Sequence, residues 1–344
     1  MNIKQLRIKG FKSIGEITLD SPNPFSVFVG ANGAGKSNIF EALEFLNYCN
    51  IWGPEKAIKF FGNPDEIKNR NLSDYNSLTG EGKSMTFLID LDSIKPYFKF
   101  PLLYQDGNIP KGDYVFDDFG KYMDSEDIED ALKLPEYLQL TNFTRLFVRN
   151  SALLKINNQD DSQLALDASN LEKVLKRIFR NQKVKEEIVE ILQLLIPGFD
   201  NIDIVSEELS STDNLLVYEK SLKKPLSKRL ISDGTFNILA ILAAIYQSDK
   251  PQFLCIEEPE NGLNPKVVRE LVSIIRSKCQ DHGHYIWLNT HSQTLVSELR
   301  PEEIILVDKV NGMTQTKQIN GMDLHGLKMD EALLTNSLGG GIPW

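Results

Sequence analysis

The clearest pattern along the chain is an apolar run followed by a glycine-rich turn and then a helical repeat. The run 27–29 (Val-Phe-Val) has the length and the β-branched and aromatic character of a short buried strand. After the turn, apolar residues recur at helical spacing at Ile39, Leu43 and Leu46. The pattern therefore predicts a strand, a turn and a helix between residues 25 and 46.

Alternating apolar and polar positions predict further strands on both sides of the middle of the chain. Residues 1–20 are expected to form a strand pair, because Ile3, Leu6 and Ile8 are followed by the alternating Ile17 and Leu19. The other alternating stretches are 85–91, 98–105, 202–205 and 215–218.

The region between residues 117 and 196 has a helical pattern instead. Two amphipathic stripes, within 171–179 and 188–195, predict helices that pack on a core, and Pro197 ends the second. We therefore predict two parts: 1–92 together with 200–344 as one domain, and 93–199 as an inserted, mainly helical subdomain.

Two later apolar runs end abruptly in polar residues. The run 253–256 leads into Glu257 and Glu258, and the run 285–288 leads through Asn289 and Thr290 into His291. Continuous apolar runs of this length are typical of strands that are buried on both faces. We expect the polar residues to lie at the carboxyl ends of parallel strands, where α/β proteins place ligand chemistry.

Composition limits the class of protein. The 344 residues suffice for one large domain or two modest ones, and the net charge of −10 gives no overall basic character for nucleic-acid binding. The three cysteines form no C-x-x-C pair, which fits a reducing cytosol. The start lacks the apolar core of a signal peptide, and the longest apolar run, 238–245, is too short to span a bilayer and predicts a buried helix. We expect a cytoplasmic protein that does not enter a membrane.

The glycine-rich turn, from Gly30 to Ser37, fits the phosphate-binding pattern G-x-x-x-x-G-K-[ST]. Its glycines let successive backbone N–H groups curl closely around a phosphate, and the helix N-terminus adds partial positive charge. Lys36 is expected to reach the β- and γ-phosphates, and the Ser37 hydroxyl to bind Mg²⁺. A chance match in a loop is the alternative, and the strand before and the helix after it argue against that.

The polar strand ends supply the remaining chemistry of such a site. Glu257 is expected to hold Mg²⁺, usually through a water molecule. Glu258 is expected to orient or deprotonate the attacking water. The imidazole of His291 is expected to donate to a γ-phosphate oxygen. The plainer alternatives are a strand that ends in a charged loop and a histidine that is satisfied within that loop.

A third motif, Ser232 to Thr235, opens the apolar helix of residues 238–245. Ser232 is a good helix N-cap, and the end of a helix with Ser and Gly is also an anion site, so both interpretations stay open. Just before it lies a short basic segment. It is expected to be a solvated face, with contact to phosphate or DNA as the alternative, and comprises Lys220, Lys223, Lys224, Lys228 and Arg229.

Taken together, these motifs resemble the ABC-type ATPase superfamily, in the order phosphate loop, signature, acidic strand and histidine switch. Within it the chain resembles the non-transporter AAA_21/AAA_15 group of the RecF, structural-maintenance-of-chromosomes (SMC) and overcoming-lysogenization-defect (OLD) branch. The segment Phe11–Ser13 resembles that branch's "FKS" start, and Asn38 stands where most transporter loops have Thr. The stretches 256–265 and 232–235 and the tail 338–341 also look like this group. The resemblance covers 1–50 and 200–344 well and 51–200 poorly.

The resemblance implies an α/β fold of the P-loop NTPase type, an ABC-ATPase-type nucleotide-binding domain with an N-terminal antiparallel β part and an inserted helical subdomain. It implies ATP and Mg²⁺ as cofactors and an ATP-dependent, head-to-tail homodimer that sandwiches two nucleotides. It assigns catalysis to Glu258, His291 and Lys36, and the metal to Ser37 and Glu257. The nucleotide-binding residues that it implies are Gly30, Ala31, Asn32, Gly33, Ala34, Gly35, Lys36, Ser37, Asn38 and, across the dimer, Ser232 and Gly234, with Asn261, Gly262 and Leu263 as the D-loop at the interface.

The sequence departs from the family in three places. Glu257 replaces the usual Asp, which lengthens the reach to Mg²⁺ by one methylene group. Asp233 and Thr235 stand where transporters have Gly and Gln, and a carboxylate near a γ-phosphate is unfavourable unless it points away. The Q-loop glutamine stays open between Gln105 and Gln139. These departures affect the expected rate of hydrolysis more than ATP binding.

The leading functional hypothesis is a slow ATPase that acts as a dimerising switch, with a partner effector protein, in DNA maintenance or antiphage defence. A RecF-like DNA clamp without an effector is the first alternative; the basic segment favours it and the acidic net charge disfavours it. The ATPase part of an OLD-type nuclease is another, although the roughly fifty residues after His291 are too few for its C-terminal nuclease domain. A transporter ATPase is disfavoured by the signature and by the "FKS" start.

Overall fold

The computed structural model describes residues 2–62, 64–70, 84–91, 97–101, 135–148, 161–207, 212–321 and 329–334. The chain divides into two compact units. The first unit comprises Met1–Phe143 with Leu299–Trp344, and the second comprises Thr144–Glu298.

The first unit contains a four-stranded antiparallel sheet. Its strands are β1 (Ile3–Lys9), β2 (Glu16–Asp20), β4 (Ser84–Leu91) and β5 (Tyr97–Pro101), in the order β2-β1-β4-β5. In β1 and β2 the apolar side chains alternate into the interior, which confirms the strand pair predicted from the alternating pattern. The predicted strand 98–105 is observed only as far as Pro101, and residues 102–105 lie outside the described ranges.

The first unit also contains the strand, turn and helix that the sequence pattern predicts between residues 25 and 46. Strand β3 (Phe25–Val29) is buried along its whole length and runs parallel to β12 (Ile304–Val310), which pairs antiparallel with β13 (Met313–Gln318). Helix α1 (Lys36–Trp52) follows the turn. The shorter helices of this unit are α2 (Pro54–Phe60), α3 (Pro64–Ile67), α4 (Pro135–Thr141), a 3-10 turn (Pro301–Glu303) and α10 (Met329–Leu334).

An aromatic cluster joins α1 to the antiparallel sheet. The ring of Phe11 lies 5.7 Å from that of Phe45 on α1 and 6.4 Å from that of Phe87 on β4. All three rings are fully buried, so the first aromatic residue of the "FKS" segment is a core residue. This packing holds the next two residues, Lys12 and Ser13, beside the phosphate loop, and Lys12 forms an ion pair with Glu41 on α1.

The second unit holds three neighbouring strands, β6 (Phe143–Leu146, whose first residue belongs to the other unit), β10 (Phe253–Glu257) and β11 (Tyr285–Thr290). Strands β10 and β11 are parallel, and their register pairs Glu257 with Asn289. Every residue of both strands is buried, which is why their sequences are continuous apolar runs. Both runs were predicted as strands, and the structure confirms them.

Helices and a small sheet complete the second unit. The sheet is formed by β7 (Phe199–Glu207), β8 (Thr212–Glu219) and β9 (Leu226–Ser227). The predicted buried helix is observed as α7, in which residues 237–246 are all buried. The helices are α5 (Leu171–Ile178), α6 (Gln182–Leu195), α7 (Asp233–Tyr246), α8 (Pro265–Asp281) and α9 (Gln293–Val296). None of the helices in the described ranges has the length and apolarity that a bilayer crossing requires.

The division into units differs from the predicted insertion of residues 93–199. Strand β6 lies inside that stretch and neighbours β10, while α5 and α6 contact α7 of the second unit. The two compact units divide between residues 143 and 144 and between 298 and 299, and the inserted subdomain 93–199 stays a prediction. The amphipathic stripes predicted both helices correctly, but a stripe shows only that a helix packs and not which partner it packs against.

Candidate functional site

The phosphate loop of the first unit has the conformation that an anion site needs. Gly33 and Gly35 have positive φ angles of 81° and 102°, a region that favours glycine. The N-cap residue of α1 is Gly35, which has no side chain that could cap the helix. The Lys36 ammonium group donates to the carbonyl oxygens of Gly30 (2.7 Å) and Ala31 (3.0 Å), so this side chain lies folded over the loop.

Two glycines of the loop are also required by close neighbours. A Cβ atom at Gly30 would overlap the carbonyl oxygen of Val307 on β12, and one at Gly35 would overlap the Thr314 hydroxyl on β13. Between them, Asn32 and Gly33 are exposed at the tip, and Ala34 is buried. These glycines therefore permit packing against the strands behind the loop as well as approach to a phosphate.

Glu257, at the end of β10, is held by two buried partners. Arg145 on β6 donates to Oε1 through Nε at 2.6 Å and through Nη2 at 2.5 Å, and the Asn289 amide donates to Oε2 at 3.0 Å. The side chains of Arg145 and Glu257 are only 6% and 1% exposed. A charge-assisted bond from a guanidinium group satisfies the buried carboxylate.

Glu258 has a strained backbone that directs its side chain. Its φ angle is 47°, in the left-handed region that non-glycine residues rarely adopt, and its N–H donates to both the carbonyl oxygen (3.0 Å) and the side-chain oxygen (3.1 Å) of Asn289. Asn261 donates to its Oε2 at 3.0 Å, and Nδ1 of His291 lies 3.7 Å from its Oε1. The two predicted catalytic side chains of this unit are therefore neighbours.

Glu260 is a third acidic residue beside this pair. The Thr290 hydroxyl donates to its Oε1, while its Oε2 is buried and has no hydrogen-bond partner among the residues that the structure describes. Burial raises the pKa of this carboxyl group above its usual value, and the Thr290 bond acts in the opposite direction. The sequence motifs assign no role to Glu260.

The signature segment forms the start of α7, and Ser232 is its N-cap. The Ser232 hydroxyl accepts from the N–H of Thr235 at 3.1 Å, so the capping interpretation is confirmed. Gly234 packs so closely on Gly262 that a Cβ atom there would overlap the Gly262 carbonyl oxygen. Ser232 and Asp233 themselves are exposed.

Asn237, one turn further along α7, ties this helix to the segment after β10. Its buried amide donates to the carbonyl oxygens of Pro259 (2.9 Å) and Asn261 (3.0 Å). Because Asn261 in turn bonds to Glu258, the start of α7 and the carboxylate of Glu258 are connected through two residues.

The residues of each unit fit the ligands that the sequence predicts. The φ angles of the loop and its uncapped helix N-terminus fit a phosphate group. The Ser37 hydroxyl and the Glu257 carboxylate are the oxygen ligands that Mg²⁺ prefers, and since both oxygens of Glu257 already accept hydrogen bonds, water-mediated binding is the mode that suits it. Within the described ranges, no three His, Cys, Asp or Glu side chains converge on a metal site of their own. Of the Q-loop candidates, Gln139 lies buried on α4, and Gln105 and the tail 338–341 lie outside the described residues.

Sequence reasoning missed Arg145 and Asn289. A charged residue within the short apolar stretch 143–147 was a usable signal, because an arginine on a buried strand requires an acidic partner. Asn289 gave no such signal, since asparagine at the end of a strand is common. The assignments of Lys36, Glu257, Glu258 and His291 to catalysis and metal binding stay predictions.

Comparison with known proteins places the chain in a family. Residues 25–297 match the family AAA_21, described as "AAA domain, putative AbiEii toxin, Type IV TA system". The chain belongs to the AAA_21 family. It is thus a non-transporter ATPase of the ABC type, in agreement with the resemblance seen in its motifs.

This AAA_21 protein is also similar to curated relatives and to solved structures. A Helicobacter pylori protein named "ATP/GTP phosphatase" is 23% identical over 329 residues, which cover 86% of this chain and 87% of that one. An SMC head bound to the C-terminal winged-helix domain of ScpA has a TM-score of 0.60 at 18% identity, covering 92% of this chain and 96% of the other. An Smc head domain with an extended coiled coil, bound to the C-terminal domain of ScpA derived from Pyrococcus furiosus, has a TM-score of 0.59 at 16% identity. That match covers 98% of this chain and 99% of the other. At these identities the structures show the fold alone, and they confirm the predicted fold class.

Proposed function

We propose that this AAA_21 protein binds and hydrolyses ATP with Mg²⁺ and uses the cycle as a switch. The observation that carries the proposal is the strained geometry of Glu258. A left-handed conformation in a non-glycine residue costs free energy, so it persists where neighbouring contacts fix it, and such residues cluster at functional sites. Here Asn289 fixes the backbone, Asn261 fixes the carboxylate and His291 lies beside it.

In the proposed reaction each residue does what its chemistry allows. The ammonium group of Lys36 leaves the Gly30 and Ala31 carbonyl oxygens and binds the β- and γ-phosphates. Glu258 orients and deprotonates the attacking water, and His291 donates to a γ-phosphate oxygen. Ser37 and, through water, Glu257 would hold Mg²⁺, which neutralises the charge that develops on the phosphates.

We further propose that ATP joins two copies head to tail, with Ser232 and Gly234 of one copy facing the nucleotide of the other. The exposed start of α7 supports this, and so does Leu230 beside it, whose 68% exposure is unusual for a large apolar residue. A partner protein is supported by two names: the family description includes a toxin of a type IV toxin–antitoxin system, and the SMC heads were solved with ScpA. DNA maintenance and antiphage defence are the settings that we propose, in the cytoplasm.

The test combines turnover with association. The Glu258→Gln variant should bind ATP, lose hydrolysis by about a hundredfold or more, and dimerise in sedimentation velocity with ATP but not with ADP. Leu230→Glu in that background should remain monomeric while binding ATP normally. Leu222→Glu is the matched control, because Leu222 is also exposed, at 46%, but lies in the turn between β8 and β9. If the Glu258→Gln variant binds ATP and stays monomeric at all concentrations, the switch proposal is wrong.

DNA binding is a second candidate, favoured by the basic segment before α7. Lys220, Lys223, Lys224 and Arg229 are exposed, whereas Lys228 forms an ion pair with Glu172 at 2.9 Å. Exposed cations are available to phosphates, so binding to duplex DNA should weaken steeply with salt.

The matched experiment for DNA binding changes three exposed lysines at a time. Lys220→Gln, Lys223→Gln and Lys224→Gln together should reduce the slope of log affinity against log salt by about 3. The same number of charges removed at Lys183, Lys250 and Lys266, which are exposed elsewhere on the unit, should leave the slope unchanged. Equal effects of the two triple variants would show only general electrostatic attraction.

A further inference from the structure

Three side chains of the first unit form a continuous line of hydrogen bonds behind the phosphate loop. The Asn38 amide donates to Ser13 Oγ at 2.6 Å, Ser13 Oγ lies 2.6 Å from Thr314 Oγ1, and Thr314 Oγ1 donates to the carbonyl oxygen of Ala34 at 2.9 Å. The N–H of Thr314 also donates to the Ser13 carbonyl oxygen at 2.8 Å. The line thus connects the "FKS" segment, helix α1 and strand β13 to one peptide group of the loop.

The directions of these bonds are fixed by the number of protons available. Each hydroxyl has one proton to donate. Thr314 uses its proton on the Ala34 carbonyl oxygen, so the Ser13 proton must go to Thr314, and Ser13 must accept from Asn38. Asn38 must therefore face Ser13 with its amide nitrogen, because its amide oxygen can only accept. Two of the features by which the sequence resembles the RecF and SMC branch, the "FKS" segment and Asn38, are therefore joined by a hydrogen bond.

The end of this line determines where one amide of the loop points. In a trans peptide the C=O and the following N–H point in opposite directions, and the described chain contains no cis peptide. Because the Ala34 carbonyl group is held toward Thr314, the Gly35 N–H is directed away from β13, and it has no hydrogen-bond partner among the described residues. Glycine at position 35 would otherwise allow this peptide to rotate easily.

We propose that Thr314 is a positioning residue for nucleotide binding, which aims the Gly35 N–H at a phosphate of ATP, and that Ser13 and Asn38 act through it. The proposal rests on ATP binding at the phosphate loop. The same packing explains why position 35 has no room for a side chain, since a Cβ atom there would overlap both Thr314 Oγ1 and Ser13 Oγ. Thr314 is 1% exposed, so its hydroxyl serves the protein interior and does not contact the nucleotide directly.

The first experiment measures ATP affinity by calorimetry and, separately, the melting temperature without nucleotide. Thr314→Val keeps the shape of the side chain and removes its donor, and should weaken ATP binding roughly tenfold. Thr314→Ser restores the donor and should stay within about threefold of the wild-type affinity. Thr316→Val is the matched control on the same strand, because Thr316 pairs with Val307 of β12 and takes no part in the line. A lower melting temperature with unchanged affinity would overturn the proposal, since a merely structural role predicts that result.

The second experiment tests whether Ser13 acts through Thr314. Ser13→Ala should weaken ATP binding by several-fold, and the double variant Ser13→Ala/Thr314→Val should be no weaker than Thr314→Val alone. Independent, multiplicative losses would contradict the proposed line. The proposed function fails in a different way: it fails if the wild-type protein itself does not bind ATP, whereas the inference fails if the wild type binds ATP and the variants bind it equally well.

Discussion

Arg145 and Glu257 form a buried ion pair in which both guanidinium bonds end on one carboxylate oxygen, at 2.6 Å and 2.5 Å. The two residues are separated by 112 positions and meet because β6 and β10 are neighbours. The other carboxylate oxygen accepts a hydrogen bond from the Asn289 amide. The backbone and side-chain oxygens of Asn289 in turn accept from the N–H of Glu258. The acidic residue expected on the metal side and the expected catalytic residue are thus fixed by one network.

Removing the positive member of this pair should destabilise the protein strongly. Arg145→Met removes both guanidinium bonds from the buried Glu257 carboxylate, and we expect a loss of about 3–5 kcal/mol in the free energy of unfolding, measured in urea. The double variant Arg145→Met/Glu257→Gln removes the stranded charge and should recover a large part of the loss. If the double variant is as unstable as Arg145→Met, packing of the arginine side chain rather than its charge maintains the structure.

The left-handed backbone at Glu258 should invert the usual order of alanine and glycine. Glycine normally destabilises relative to alanine, but at a φ angle of 47° alanine retains the strain and glycine relieves it. Glu258→Gly should therefore be more stable than Glu258→Ala by about 1 kcal/mol, measured by chemical unfolding. Both variants lose the carboxylate, so both should lack ATP hydrolysis.

A control for this prediction lies in the same segment. Glu260, two residues later, is not among the residues with positive φ, so Glu260→Ala should be more stable than Glu260→Gly, the usual order. If alanine is the more stable replacement at position 258 as well, the strained conformation of Glu258 is not a property of the folded protein.

Acid should destabilise the second unit through His284. Burial lowers the pKa of this imidazole to about 4, and it accepts from the N–H of Gln252 at 3.2 Å. A histidine with a lowered pKa binds fewer protons in the folded state than in the unfolded state. Its contribution is therefore complete above the unfolded pKa of about 6.5 and is lost as the pH falls toward 4, by up to about 3 kcal/mol.

The pH effect can be measured as a difference between variants. The free energy of unfolding of His284→Gln should depend less on pH between 6.5 and 4 than that of the wild-type protein. His282→Gln is the control, because His282 stacks on His284 at 5.2 Å but is exposed, and it should retain most of the wild-type pH dependence. Parallel curves for the wild type and His284→Gln would show that other groups cause the acid loss.

Much of the fold was predictable because its signals are local. Which faces of a strand or helix are buried is visible in the spacing of its apolar residues. This holds for the alternation in β1 and β2, for the apolar runs of β3, β10 and β11 and for the helical repeat of α7. Strand β6 was not predicted, since four residues with an arginine among them show no apolar run. Its partner β10 lies far away in the chain, so no local pattern indicates that the two strands are neighbours.

The sequence by itself determined the phosphate loop and predicted the chemistry of the candidate site. A phosphate loop is contiguous, so the spacing of its glycines, Lys36 and Ser37 specifies the local conformation, and strand ends supplied Glu258 and His291. Only the tertiary structure decided which residues support them. Thr314 reaches the loop across 280 positions, and no local pattern records a hydrogen bond between residues so far apart. The physical reason is that a supporting side chain needs only a hydrogen-bonding group at the right place in space. Many residue types at many positions in the sequence can supply such a group.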